Sequence, residues 1–250
     1  MTGQGRKLSG MTAFVTGAAS GIGRACALAL AARGATIVAT DIDDAGLEAL
    51  LDGLHEIETT VVTARLDVRD EPAVRAAIAK TVADHRQLDL VLNCAGIMPL
   101  APALEADVDE WTATIEINVL GLMYVTHAAL PHLVQSKGSL VQMSSMAARA
   151  VGRGASAYYA SKFAVNGFSE GIRQEVTESG VRVVVVEPGS TQTSLRTHIT
   201  HEASRAAIEA RVATYRQLQP MDVADAVMYA ITAPHHVAVN EILLRPTDQA

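Results

Sequence analysis

Thr12-Ala13-Phe14-Val15-Thr16-Gly17-Ala18-Ala19-Ser20-Gly21-Ile22-Gly23 is the stretch that decides the fold. A short run suited to a buried strand stops at a glycine, and a helical pattern starts at Gly21. Glycine admits positive φ and lets another backbone or a phosphate come close. The first N–H groups of a helix lack internal acceptors and sit at its positive end, so a pyrophosphate is favoured there, with Ser20 and Ile22 in the same turn. The spacing of Gly17, Gly21 and Gly23 is a variant of the dinucleotide fingerprint in its strand–turn–helix setting. The plainer reading is a tight turn with close helix–strand packing.

Outward from this turn the chain alternates. Short β-branched runs lie at Thr12–Thr16, Thr36–Thr40, Thr60–Leu66, Leu88–Asn93, Ser139–Met143, Val181–Glu187 and Glu241–Leu244. Between them fall segments of helical period, about residues 21–33, 43–55, 71–85, 109–135, 158–178 and 222–233. Such alternation predicts an α/β fold: one doubly wound Rossmann domain over residues 1–250, with about seven parallel strands and helices on both faces. The four consecutive valines Val183–Val186 suit a central strand with no wet face. Residues 1–10 read as a lead-in, and the polar stretch 190–216 as a mobile lid or substrate loop.

Bulk properties agree with this and exclude other classes. The chain has 250 residues, 49% hydrophobic but only 4% aromatic, so its core is aliphatic. A net charge of −7 without a basic cluster argues against nucleic acid. Two scattered cysteines, Cys26 and Cys94, give no disulfide framework and point to a reducing cytoplasm. The apolar stretch after Arg6-Lys7 is too short for a signal peptide, and no apolar run reaches the roughly 18 residues a membrane span needs.

Asp41 ends the second strand, roughly 20 residues after the glycines, where a carboxylate accepts hydrogen bonds from adenosine ribose hydroxyls and repels a 2′-phosphate. No Arg or Lys stands beside it, since Ile42 comes next, so the cofactor expected is NAD rather than NADP. A cap on the helix near Asp43 is the plainer role for Asp41.

At the other end, Tyr158 and Lys162 are four apart on a helix and share a face. A phenol with pKa near ~10 is a weak base at neutral pH, and a nearby ammonium lowers that value. Ser144-Ser145 closes the fifth strand, at the edge where open α/β sheets bind ligands. A serine there can hydrogen-bond a reacting oxygen while Tyr158 moves its proton.

In their order and spacing, these pieces resemble the short-chain dehydrogenase/reductase family over nearly the whole chain. The matching residues are Thr16-Gly17-x-x-x-Gly21-Ile22-Gly23, Asp67-Val68, Asn93-Cys94-Ala95-Gly96, Asn118, Ser145, Tyr158-x-x-x-Lys162 and Pro188-Gly189-x-x-x-Thr193. The resemblance implies hydride transfer between a nicotinamide and a small-molecule alcohol or ketone. Tyr158 would be the acid/base, Lys162 would bind the nicotinamide ribose, and Ser145 would orient the substrate oxygen. Asn118 would kink its helix and hold a water of a proton relay. Asp67 and Val68 would flank the adenine, and Asn93 and Gly96 would line the adenosine side. Pro188, Gly189, Thr191 and Thr193 would hold the nicotinamide and its carboxamide. The family association implies a homodimer through the helices of Asn118 and Tyr158, or a homotetramer. The latter is weakened because the C-terminus reads Asn240–Thr247 in place of the family's frequent glycine-rich ending.

Other signals are weaker. His198 and His201 lack the company of a metal site, and none is expected. Arg149, Arg153 and Arg196 fall near the expected substrate and could bind a carboxylate, though solvated loop charges explain them more simply. Met98, Leu100, Met146, Val151 and Leu195 suggest a largely apolar pocket. The competing functions are an NADPH-dependent ketoreductase, a non-catalytic NAD-binding sensor and a nucleotide-sugar epimerase or dehydratase.

Overall fold

The structure, a computed structural model, describes residues 8–55 and 57–249. Arg6, Lys7 and most of the expected lead-in therefore lie outside the described residues. The strands are β1 Thr12–Thr16, β2 Thr36–Asp41, β3 Val61–Arg65, β4 Leu90–Asn93, β5 Ser139–Met143, β6 Arg182–Pro188 and β7 Glu241–Leu244. All seven pair in parallel in the order β3-β2-β1-β4-β5-β6-β7. The order reverses between β1 and β4, which opens a crevice at the carboxyl ends of those strands.

Period-2 alternation sends each strand's residues into two cores. Ala13, Val15, Leu90 and Leu92 pack on one face with Leu30, Val223, Val227 and Ile231, from helices α1 (Gly21–Ala31) and α8 (Pro220–Thr232). On that face lies also α2 (Asp44–Asp52), whose Leu47 and Leu50 join the same core. Phe14, Val91, Leu140 and Val183 pack on the other face with Val74, Ile78, Val125, Ala129 and Leu133, from α3 (Glu71–His85) and α5 (Leu122–Ser136). This face also carries α6 (Ser156–Val176).

The helical segment expected at 109–135 is continuous from Val108 to Ser136, but not uniform. It runs as α4 (Val108–Ile115), a π-helical turn at Glu116–Gly121, then α5. By length and composition it could cross a bilayer. Its apolar residues Val125, Ala129 and Leu133 are instead buried against α3 and the sheet.

The stretch 190–216 is more ordered than the sequence reading allowed. It holds a 3₁₀ turn, Ser194–His198, and an eleven-residue helix, α7 (Glu202–Val212), capped by the His201 side chain. Only Val212 of that helix is buried, so α7 carries no apolar stripe by which periodicity could reveal it.

Close packing dictates one glycine of the opening turn. A Cβ on Gly23 would stand 2.1 Å from the Gly17 carbonyl oxygen, whereas one on Gly171 in α6 would meet nothing within 4 Å. Gly23→Ala should cost at least about 1–3 kcal/mol by overpacking, and Gly171→Ala should stabilise by about 0.5–1 kcal/mol through helix propensity. Thermal unfolding of the two variants reads both signs.

Candidate active site

A cavity of about 860 Å³ runs along the carboxyl ends of the strands. Gly17, Ser20, Gly21, Ile22, Gly23, Asp41, Asp67, Val68 and Gly96 line one end of it. Ser145, Tyr158, Lys162, Pro188, Gly189 and Thr191 line the other, and Thr193 lines it against Gly21 of the glycine turn. Asn93 and Asn118 are the two sequence candidates outside the lining. Asn93 is buried behind the wall, its amide donating to Gln142 Oε1 at 2.8 Å and Thr126 Oγ1 at 3.3 Å.

The glycine turn is shaped as a cradle. Gly17 and Gly21 take φ of +65° and +52°, and a Cβ on Gly17 would run within 2.7 Å of the Ala95 nitrogen. Asp41 fixes this turn: its Oδ2 accepts from the Ala19 N–H at 3.0 Å and its Oδ1 from Asp43 N–H at 3.1 Å. The cap of α2 is Asp43, not Asp41. Backbone room, helix N-terminus and carboxylate thus fit a nicotinamide dinucleotide. Thr16 Oγ1 accepts from the N–H groups of Cys94 and Ala95, holding the Gly96 turn against β1. Cys94 lines the cleft beside buried Cys26, and both thiols are free. Arg69 binds the Asp67 carboxylate from the side and holds its pKa below the ordinary value.

At the other end, Ser145 precedes a 3₁₀ turn, Met146–Ala148, and its Oγ accepts from Ala147 N–H at 3.1 Å. Tyr158 lies in the first turn of α6, and the neighbouring Ser145 hydroxyl favours its ionised form. Lys162 sits one turn later, its Nζ 5.7 Å from the Tyr158 ring centroid and 2.9 Å from the Met143 carbonyl oxygen, to which it donates. Both are buried, at 8% and 6% exposure. Burial dominates the protonation of this pair: it pushes the phenol up from its ordinary value and the ammonium down to about 8. The expected lowering of the tyrosine by its lysine is therefore not a property of the protein alone.

Asn118 sits in the π-helical turn. Its amide is spent on the Ile97 backbone, accepting from N–H and donating to C=O, both at 2.9 Å, and on Ser161 Oγ at 3.1 Å. The side chain thus ties the loop after β4 to α6.

Comparison with known proteins agrees with this geometry. The family model for short chain dehydrogenase matches residues 11–204. The chain belongs to the short-chain dehydrogenase/reductase family. An uncharacterised oxidoreductase of Staphylococcus saprophyticus is 34% identical over 242 residues, covering 96% of this chain and 99% of that one. A glycine betaine reductase of Emericella nidulans is 37% identical over 245 residues, 97% of this chain but 19% of that much longer protein. Among solved structures, the closed form of a serine dehydrogenase complexed with NADP⁺ superposes with a TM-score of 0.88 at 30% identity, covering 96% of both chains. A Burkholderia phymatum short-chain dehydrogenase/reductase in complex with NAD shares the fold, at 23% identity, 95% and 89% coverage and a TM-score of 0.87.

Two groups of this dehydrogenase's cleft escaped the sequence reading. One is Gln249, whose Oε1 accepts from Ser190 N–H at 2.9 Å, seating the C-terminal tail on the Pro188-Gly189 turn. The other is a buried polar network behind Ser145. Glu187, whose side chain is 0% exposed, receives Arg149 bidentately at 2.8 and 2.6 Å and Asn166 Nδ2 at 2.7 Å. The Asn166 Oδ1 accepts from Ser144 Oγ at 2.6 Å, and Arg149 also reaches Glu241. This network joins β5, α6, β6 and β7. Nothing in sequence spacing pairs residues so far apart.

Lys162→Met should leave the protein at least as stable near pH 7, because it removes a buried ammonium. The folded lysine has the lower pKa, so its cost is full below about 8 and fades as pH rises towards its ordinary 10.5. The variant's advantage in Tm should shrink over the same range. Arg149→Ala, which strands the buried Glu187 carboxylate, should cost about 3–5 kcal/mol. Arg173→Ala, facing the half-exposed Glu170, should cost far less. Urea unfolding compares the two.

Proposed function

We propose that this chain transfers a hydride between NAD(H) and the alcohol or carbonyl carbon of a small, largely apolar substrate, with Tyr158 as the acid/base. The observation that carries this reading is the convergence of Tyr158, Ser145 and Lys162 on the same cleft as the glycine cradle. A sensor that only bound the dinucleotide would have no use for that group. When bound, the nicotinamide would supply the hydride acceptor or donor and, oxidised, a positive charge beside the phenol.

The chain's own residues do the rest. Gly17, Ser20, Gly21, Ile22 and Gly23 offer room and N–H groups to the pyrophosphate, Asp41 the ribose hydroxyls, and Asp67, Val68 and Gly96 the adenosine side. Pro188, Gly189, Thr191 and Thr193 would hold the carboxamide end. Ser145 Oγ orients the reacting oxygen, and the Tyr158 hydroxyl takes its proton in oxidation or returns it in reduction. Lys162, charged and held by the Met143 carbonyl, favours the phenolate once a second positive charge joins it. Asn118, in the π-helical turn, would serve through the loop and helix that its amide ties together, since that amide is spent on Ile97 and Ser161. Hydrogen bonds fixed before the reaction stabilise the developing oxyanion.

NAD is favoured over NADP by Asp41, and because nearby cations are engaged: Arg24 donates to the Ala49 carbonyl and Arg65 pairs with Asp44. The likeness to an NADP⁺-bound serine dehydrogenase supports the second reading, an NADPH-linked reductase. We also assign a dimer through the two helices that carry Asn118 and Tyr158, which leave Leu120, Val134 and Phe163 37–47% exposed.

Following NADH at 340 nm over alcohols and ketones tests the reading. Tyr158→Phe should keep NADH binding and lose at least about 100-fold in turnover; near-normal turnover would refute the role. Asp41→Ala should shift the NAD/NADP preference by about tenfold toward NADP, the scale of one removed charge contact.

A further inference from the structure

We propose that the substrate of this dehydrogenase carries a carboxylate, held by Arg153 and Arg211 beside the catalytic end of the cleft. The inference rests on the hydride-transfer reading above and adds the chemical class of the molecule Tyr158 acts on.

The chain is acidic, with 27 Asp and Glu against 20 Lys and Arg. Yet the acids lining the cleft are Asp41, Asp43 and Asp67, which belong to the glycine-turn end; none lines it around Ser145 and Tyr158. The basic side chains of that region divide by what they hold. Lys162 donates to the Met143 carbonyl. Arg196 is tied to the Thr191 carbonyl and to Gln217 Oε1. Arg149, the third arginine singled out in the sequence, is consumed by Glu187 and Glu241.

Arg153 and Arg211 remain. Both line the cleft, and neither guanidinium has a hydrogen bond or ion pair among the described residues. Arg153 lies in the loop before α6, and Arg211 in the last turn of α7. Met98, Leu100, Val151, Leu195 and Ile208 line the same space beside Tyr159, Thr197, His198 and Ser204, none of which offers a carboxylate. A guanidinium keeps its charge and needs acceptors for five N–H groups, and it suits a carboxylate bidentately. Water satisfies a single exposed arginine. Water leaves unexplained that, in an acid-rich chain, no carboxylate lines this half of the cleft.

The placement also suits closure. Arg153 belongs to the loop leading into the turn of α6 that carries the buried Tyr158. Arg211 rides on a helix that buries only Val212. An anion gripped by both would draw α7 onto the cleft and bring an apolar body between Ser145 and Tyr158. The competing anion is the cofactor's own pyrophosphate, already provided for by the glycine turn.

The test uses the full chain and two readouts. In the first, butyrate and its neutral isostere butyramide are titrated into the protein–NADH complex and monitored by NADH fluorescence. Butyrate should bind at least about tenfold more tightly, the scale of one charge-assisted hydrogen bond. Arg153→Ala and Arg211→Ala should each remove most of that margin while NADH affinity stays within about twofold. In the second, kcat/KM is compared for 3-hydroxybutyrate and lactate against their methyl esters. At least one acid should exceed its ester, and both variants should lower that ratio about tenfold. Equal binding of butyrate and butyramide overturns the inference, whatever Tyr158→Phe does. So does a loss of NADH affinity in the arginine variants, which would give these side chains to the cofactor. Retained turnover in Tyr158→Phe would instead remove the acid/base reading and leave the butyrate result to judge the arginines.

Discussion

Seven parallel strands, each returned to the same direction by a crossover, deliver all their carboxyl ends to one edge, and the residues at and just past those ends assemble the cleft. Gly17 comes directly after β1, Asp41 ends β2, Asp67 lies beyond β3 and Gly96 beyond β4. Ser145 lies beyond β5, and Pro188 ends β6. The sheet does no chemistry. It makes six distant segments neighbours, and its two aliphatic cores hold them there. The reversal between β1 and β4 supplies the opening that a dinucleotide needs.

Within that frame the Tyr158 end of the cleft is built at an electrostatic cost. Tyr158 and Lys162 are both buried, and burial disfavours the charged form of each. A lysine brought down to about 8 sits near neutral pH, where its charge can respond to its surroundings. The carbonyl to which it donates, that of Met143, closes β5 just before the Ser144-Ser145 pair. The phenol, the ammonium and the serine are therefore positioned by one strand end and one helix turn. Behind them, the Arg149–Glu187–Asn166–Ser144 network fastens that strand end to α6 and to the turn at Pro188. Charge that is fixed and satisfied behind the site leaves the groups inside it free to respond to cofactor and substrate.

Much of this was legible in the sequence, for identifiable reasons. The strands have β-branched runs and the helices around them have an apolar face, so seven strands and their crossovers could be read to within a few residues. The glycine turn and the Tyr158/Lys162 pair are local in the chain, where spacing fixes geometry. What stayed hidden was non-local or unpatterned. Helix α7 has no buried stripe, so 190–216 read as a loop. The partners of Glu187 and the return of Gln249 to Ser190 depend on the finished fold. The π-helical turn at Asn118 was foreshadowed as a kink, but only through the family resemblance. The protonation of Tyr158 was misjudged because helical spacing brings an ammonium near but says nothing of the burial that outweighs it.

The account stands on a buried phenol whose ionisation is brought into the working range only when a positive ring joins Lys162 beside it. The direct measurement is the phenolate absorbance near 295 nm against pH, taken as the difference between the wild-type chain and Tyr158→Phe, with and without saturating NAD⁺. The account predicts a Tyr158 phenol that titrates above its ordinary value in the free protein and moves well below it with NAD⁺ bound. A titration that NAD⁺ leaves unmoved would contradict it.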